Sequence, residues 1–191
     1  MAKESTFTNM VITLFVIAGI ASLALGGVYE LTKEPIRLAK KAKAEAAIKA
    51  VIPAFDSLEI YKLMPQNGKD SLTINKGYLN GELVGTAIGT YSNEGYDPTQ
   101  IQVMVGILPD GFIQNTAVVQ QKETPGLGTK MSDPKFKDQF MGKDPASFKL
   151  EVKKDGGDVD AITAATITSR AFCDALRRAY SSYNEKDGGK E

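Results

Sequence analysis

Apolar positions follow three different rhythms along this chain. Between Glu4 and Glu30 there is no charged residue, and positions 10–28 are apolar almost without a break. About 20 such residues cross the hydrocarbon of a bilayer at 1.5 Å rise each, so the pattern predicts one spanning helix. Strong helix formers then fill positions 36–51 between Pro35 and Pro53, with Pro35 suited to a first helical turn. Ile36, Ala39, Lys43, Ala47, Ala50 and Val51 form a modest apolar face there. From 58 to 121 the rhythm shortens toward alternation. Segments 58–63, 76–79, 82–91, 101–108 and 112–120 read as strands, with Asn80-Gly81 and Pro109-Asp-Gly111 as turns between them. Segment 133–140 reads as a short helix, 148–152 as a strand and Asp155-Gly-Gly157 as a turn. Positions 167–183 return to a helical period. Ala171, Phe172, Ala175, Leu176, Ala179, Tyr180 and Tyr183 share one face there, and Asp174 and Arg178 are spaced for an ion pair.

These elements predict an α+β chain: a single N-terminal transmembrane helix followed by a domain with an antiparallel sheet and flanking helices. The expected divisions are an anchor over 1–32, a stalk helix over 33–53, a folded domain over 54–185 and a mobile tail over 186–191. A cleaved signal peptide is the competing reading of the first segment, since Lys3 is a positive start and Ala24-Leu-Gly26 a small-x-small site. The apolar run exceeds a usual signal core, and a helical pattern follows almost directly, which favours a retained anchor. Lys33, Arg37, Lys40, Lys41 and Lys43 follow the span against Lys3 before it, so the charge count alone leans toward a cytoplasmic domain.

Composition narrows the chemistry. The 23 Lys+Arg balance 23 Asp+Glu, which argues against a broadly basic nucleic-acid binder. There is no histidine, which removes the commonest general base and metal ligand. With Cys173 as the one cysteine, an intrachain disulfide, a thiolate zinc site and a protein-held iron–sulfur cluster are excluded. No metal site and no catalytic acid–base set is expected, so demanding chemistry requires a borrowed cofactor.

Two segments look unlike scaffold. Glu123-Thr-Pro-Gly-Leu-Gly128 places two glycines in three positions, which suits either a plain loop or a close approach to a ligand. Asp160-Ala-Ile-Thr-Ala-Ala-Thr166 leads small residues into the last helix. The unpaired N–H groups and dipole of a helix start favour an anion, although Thr163 or Thr166 could equally serve as a helix cap.

Together these motifs resemble the FMN-binding domain family. The run ending at Thr166 is similar to its flavinylation motif, and Glu123-Thr-Pro-Gly-Leu-Gly128 to its second signature. Gly95-Tyr96, Asp110-Gly111 and the strand into Lys122 follow its layout. With the anchor, the resemblance covers nearly the whole chain. Within the family it is greatest to G subunits of Rnf-type ion-translocating oxidoreductases, and next to C subunits of sodium-pumping NADH:quinone reductases. There are two departures: Ala164 replaces a usual glycine, and Asp97-Pro98 replaces glycines common after Gly95-Tyr96.

The resemblance implies covalent FMN, joined to Thr166 by a phosphoester that a separate flavin transferase installs with FAD as donor. It implies that Thr163 donates to a phosphate oxygen and that Ala164 and Ala165 leave room around it. Glu123 and Thr124 would lie beside the flavin, Gly126, Leu127 and Gly128 would let backbone approach it, and Ile167 would border it. Asp160 would serve recognition by the transferase or a metal, or act as a cap. The implied partners are other membrane subunits of an Rnf-type complex, with the domain outside the cytoplasm of a cell (inner) membrane. The implied role is electron transfer. A stand-alone membrane-anchored flavin reductase and a non-redox binding module are the alternatives.

Overall fold

A computed structural model describes residues 6–65 and 69–187. It divides into two compact units, Met1–Ala42 and Lys43–Glu191. The first helix, α1 (Phe7–Val51), begins in the first unit and ends in the second. It is long and apolar enough to cross a membrane, and its apolar window is wholly exposed. The sequence predicts a helix start at Pro35, yet α1 runs through that residue. An exposed proline forfeits one backbone hydrogen bond. The flanking turns are reinforced by Glu30–Lys33 and by Arg37, whose guanidinium holds Glu34 at 2.5 and 2.9 Å.

In the second unit, five strands form an antiparallel meander in sequence order: β1 (Ser57–Leu63), β2 (Leu72–Leu79), β3 (Glu82–Ser92), β4 (Ile101–Ile107) and β5 (Ile113–Gln120). The β2–β3 hairpin turns on Asn80-Gly81, both with positive φ, as the sequence predicts. One sheet face carries Ile74, Ile88 and the β4 row Ile101, Val103, Val105 and Ile107. The last helix, α3 (Thr166–Asp187), covers that face with Ala171, Phe172, Ala175, Leu176 and Ala179. The Asp174–Arg178 pair forms at 3.0 Å, mostly shielded from solvent. Backbone of α3 accounts for positions 186 and 187 of the expected tail, and 188–191 lie outside the described residues.

The other sheet face packs on the end of α1 through Ala47, Ile48, Val51 and Ile52, against Ala87 and Met104. This differs from the expected apolar face: Ile36, Ala39, Lys43 and Ala50 are exposed, and Ile48 is buried. Helical geometry alone does not say which stretch meets a sheet, and only the last two turns do. Gly106 of β4 makes that contact possible, because a Cβ there would lie 1.8 Å from the Val51 carbonyl oxygen.

Segment 148–152 is not a strand. Lys149 N–H donates to the Asp158 carboxylate at 2.7 Å, and Val159 N–H to the Glu151 carbonyl at 3.0 Å. The backbone is thus satisfied within a local loop, leaving a single parallel bridge, Val152 to Val159. The expected helix at 133–140 is α2 (Pro134–Lys137) followed by a 3-10 turn, Asp138–Phe140. Its Phe136 and Phe140 stack edgewise into the α3 core.

Candidate functional site: a cleft at the start of the last helix

Three connections meet at the N-terminus of α3 and enclose a cleft of about 500 Å³. Tyr96 comes from the β3–β4 connection. Glu123, Thr124, Leu127 and Gly128 follow β5, and Ala164, Ala165, Thr166, Ile167 and Thr168 lead into the helix. Two motifs about 40 residues apart in sequence are therefore walls of one site. Exposed Tyr96, Leu127 and Ile167 supply apolar surface, at 71%, 39% and 47% exposure. That leaves room for an aromatic ring system beside them.

Glu123 ties the walls together. It is 4% exposed. The Thr168 hydroxyl donates to its Oε2 at 2.6 Å, and Asp97 N–H donates to its Oε1 at 3.2 Å. One carboxylate thus joins the loop bearing Tyr96, its own loop and the first turn of α3. Gly128 belongs to the same joint, since a Cβ there would sit 2.7 Å from Glu123 Cβ, Glu123 Oε2 and Thr168 Oγ1. Gly126 has another reason to be glycine. Its φ is +75°, its Cβ direction is open, and its N–H donates to Thr129 Oγ1 at 3.0 Å. It does not line the cleft, so both glycines of the motif have reasons in the fold that the sequence did not disclose.

The approach to α3 is equally constrained. Ala165, whose carbonyl accepts the first helical bond from Ser169 N–H at 3.1 Å, occupies the cap position. Neither Thr163 nor Thr166 is the cap. Alanine has no side chain to satisfy the helix start. Among the described residues the N–H groups of Thr166, Ile167 and Thr168 have no carbonyl partner, and no hydrogen bond engages the Thr166 hydroxyl. Buried Ser169 fixes the loop, accepting from Ile162 N–H at 2.9 Å and donating to the Ala165 carbonyl at 3.0 Å. Ala164 sits at φ +61°, a left-handed conformation glycine adopts more cheaply.

Thr163 is exposed and lies outside the cleft lining. Asp160 is exposed as well. It is ion-paired to Lys153 at 2.8 Å, and its N–H donates to Gln139 Oε1 at 2.8 Å. The Arg170 guanidinium grips Asp155 at 2.6 and 2.8 Å and holds that carboxyl below the usual carboxylate range. Burial pushes the Cys173 thiol up to about 12, so this cysteine is core and not a nucleophile.

Sequence reasoning missed Tyr96 and Thr168 as lining residues. Gly95-Tyr96 was one available signal. The other was a hydroxyl two residues beyond Thr166, on the face α3 turns inward.

The cleft fits a flavin mononucleotide in kind. Its volume lies in the range of small-molecule sites, its rim is apolar, and a helix start with three unengaged N–H groups favours a phosphate. An apolar N-terminal helix ahead of a sheet domain with such a cleft defines a class, the membrane-anchored FMN-binding domains. The family model for the FMN-binding domain matches residues 95–181, which span every wall of the cleft.

Among the most similar relatives is the G subunit of the ion-translocating oxidoreductase complex of Aliivibrio fischeri. It is 32% identical over 94% of this chain and 91% of that protein. The protein of the same name from Methanosarcina acetivorans is 30% identical over 98% of this chain and 100% of its own. The G subunit of the Na(+)-translocating ferredoxin:NAD(+) oxidoreductase complex of Acetobacterium woodii is 32% identical over 89% and 88%. A crystal structure of Shewanella oneidensis NqrC aligns with TM-score 0.43 and 22% identity, over 70% of this chain and 65% of that one. The chain belongs to the family of G subunits of ion-translocating oxidoreductase complexes.

Proposed function

We propose that this chain is the electron-carrying flavoprotein subunit of a membrane-bound, Rnf-type ion-translocating oxidoreductase, with FMN joined to Thr166 by a phosphoester. The observation that carries this reading is the unengaged Thr166 hydroxyl, at the mouth of the cleft and at the head of a 22-residue helix with unpaired N–H groups. Each such helix-terminus contribution to a bound anion is on the order of 1 kcal/mol or less when exposed, so a covalent link suits the site better than affinity alone.

Bound there, FMN supplies electron-accepting and electron-donating chemistry. The chain's own residues do the holding. Thr166, Ile167 and Thr168 present N–H groups to the phosphate, and Leu127, Ile167 and Tyr96 offer apolar surface to the ring. Through Thr168 and Asp97, Glu123 keeps the walls in register. Both Glu123 oxygens are already engaged, so among the described residues lining the cleft there is no disengaged carboxylate for acid–base work on a substrate. This favours an electron carrier over a self-contained reductase. A separate transferase using FAD as donor would load Thr166. The domain would stand outside the cytoplasm, as the family resemblance implies; the opposing lysine count weighs less because the charge rule is weakest for large domains.

The test is expression of the full chain with the transferase. Wild type should show flavin fluorescence in the denatured band, Thr166→Ala should show none, and Thr163→Ala should keep it. A flavin mass shift on Thr163, or none in wild type, overturns the assignment. For topology, protease should digest the domain once the outer barrier of intact cells is opened. Protection there, with cleavage in inside-out vesicles, overturns the placement.

A further inference from the structure

Glu123 is a buried carboxylate with no cation to answer it. It is 4% exposed, and among the described residues no lysine or arginine pairs with it. Of the described residues lining the cleft, it is the one that carries a charge. Both its oxygens accept and neither donates, the pattern of an ionised carboxylate. Nor can the group swing away. A Cβ at Gly95 would lie 2.6 Å from its Oε1 and one at Gly128 2.7 Å from its Oε2, so two glycines close on it from different segments. The other charges near by are turned elsewhere. Asp97 takes the Thr99 N–H on its own carboxylate at 2.7 Å, Lys122 acts on that carboxylate, and neither residue lines the cleft.

The joint between the walls does not by itself require this charge. One donor is a backbone N–H and the other a hydroxyl, which accepts as readily as it donates, so a glutamine amide could bridge the same pair. A neutral amide would also avoid the cost of burying a charge without a counter-ion. A charge kept at that cost, and fixed in the wall of a cleft, points to use by the site. We infer that Glu123 is a fixed negative charge that holds down the reduction potential of the bound flavin. The inference rests on the FMN site proposed above and adds to it what the wall does to the electron. Each electron delivered to the cleft adds one unit of negative charge there until a proton follows it. A carboxylate lining the same cleft opposes that addition. Glu123 is shielded from water, so its field is screened little, and no basic side chain among the described lining residues offsets it. The site is thereby tuned to pass electrons on rather than to retain them.

The test is a redox titration of the full chain, loaded by the transferase and held in detergent, beside single variants. Glu123→Gln keeps a bridge and removes the charge. At the wild-type midpoint potential, its ratio of reduced to oxidised flavin should rise by about fivefold or more. Thr168→Ala breaks the bridge and keeps the charge. It should lower Tm more than Glu123→Gln does, with the potential at the wild-type value or below. A joint without an electrostatic role would move the potential with stability, and so gives the opposite order. A smaller rise in Glu123→Gln, or a rise in Thr168→Ala that matches it, overturns the inference. Should Glu123→Gln fail to fold or load, Glu123→Asp decides, because it keeps the charge at a shorter reach. A rise of about fivefold in the same ratio there overturns the inference, and a smaller change upholds it. Flavin fluorescence of the denatured bands is read on the same samples. Wild type without it counts against the link to Thr166, and the potentials are then read on FMN held without that link. A chain that holds no FMN in either way overturns both readings.

Discussion

Gly128→Ala probes how the cleft is held together. The added methyl would sit 2.7 Å from three atoms: Glu123 Cβ, Glu123 Oε2 and Thr168 Oγ1. None of these is the far end of a flexible exposed chain, because Glu123 is 4% and Thr168 1% exposed. Overpacking of this kind costs about 1–3 kcal/mol. Pushing the Thr168 hydroxyl off the carboxylate adds about 1–3 kcal/mol for a buried polar group left unpaired. Since relief of the clash and loss of the bond are one movement, the expected total is about 2–4 kcal/mol. For a domain of this size that lowers Tm by about 4–15 °C, measured by circular dichroism on the full chain in detergent. Flavin fluorescence on the same sample should move with it, since the joint aligns three walls. A Thr168→Ala background removes one of the three clashing atoms, so the double variant should lose less than the sum of the singles. A Tm within about 2 °C of wild type, or strict additivity, would refute the joint.

Three further outcomes follow from the same geometry. Ala164→Gly should raise stability by about 0.5–1 kcal/mol, because relief of the left-handed strain exceeds glycine's added unfolded-state entropy; a lower Tm refutes this. Gly126→Ala should cost about 1 kcal/mol through its positive φ, with the flavin spectrum unchanged because Gly126 lies outside the cleft lining and no atom of the described residues lies within 4 Å of the new methyl; a shifted spectrum would put Gly126 against the ring after all. Asp155 has a lowered folded value owing to Arg170, so its contribution is full above the ordinary carboxylate range and is lost as pH falls through the lowered value. Asp155→Asn should therefore flatten the acid limb of urea midpoints below about pH 4, and an unchanged limb would sink the assignment.

The legible parts of this protein were those governed by local rules. An uncharged run of spanning length, alternation broken by Asn80-Gly81 and Pro109-Asp-Gly111, and the 3.6-residue stripe from Ala171 to Ala179 each depend on neighbours in sequence, and the sheet order followed from short connections. The position of Thr166 at a helix start was equally local. Tertiary structure decided the rest. That only the last turns of α1 are buried depends on Gly106 admitting the Val51 carbonyl, a contact 55 positions apart. Segment 148–152 had strand composition, but its backbone partners at 158–159 were close at hand, and a satisfied backbone has no need of a sheet. The reason for Gly128 and the joint role of Glu123 lie in Thr168 and Asp97, on two other segments. Periodicity records which side of an element is apolar. What that side meets is fixed by steric fit and hydrogen bonding between segments remote in sequence, which exist only once the chain has folded.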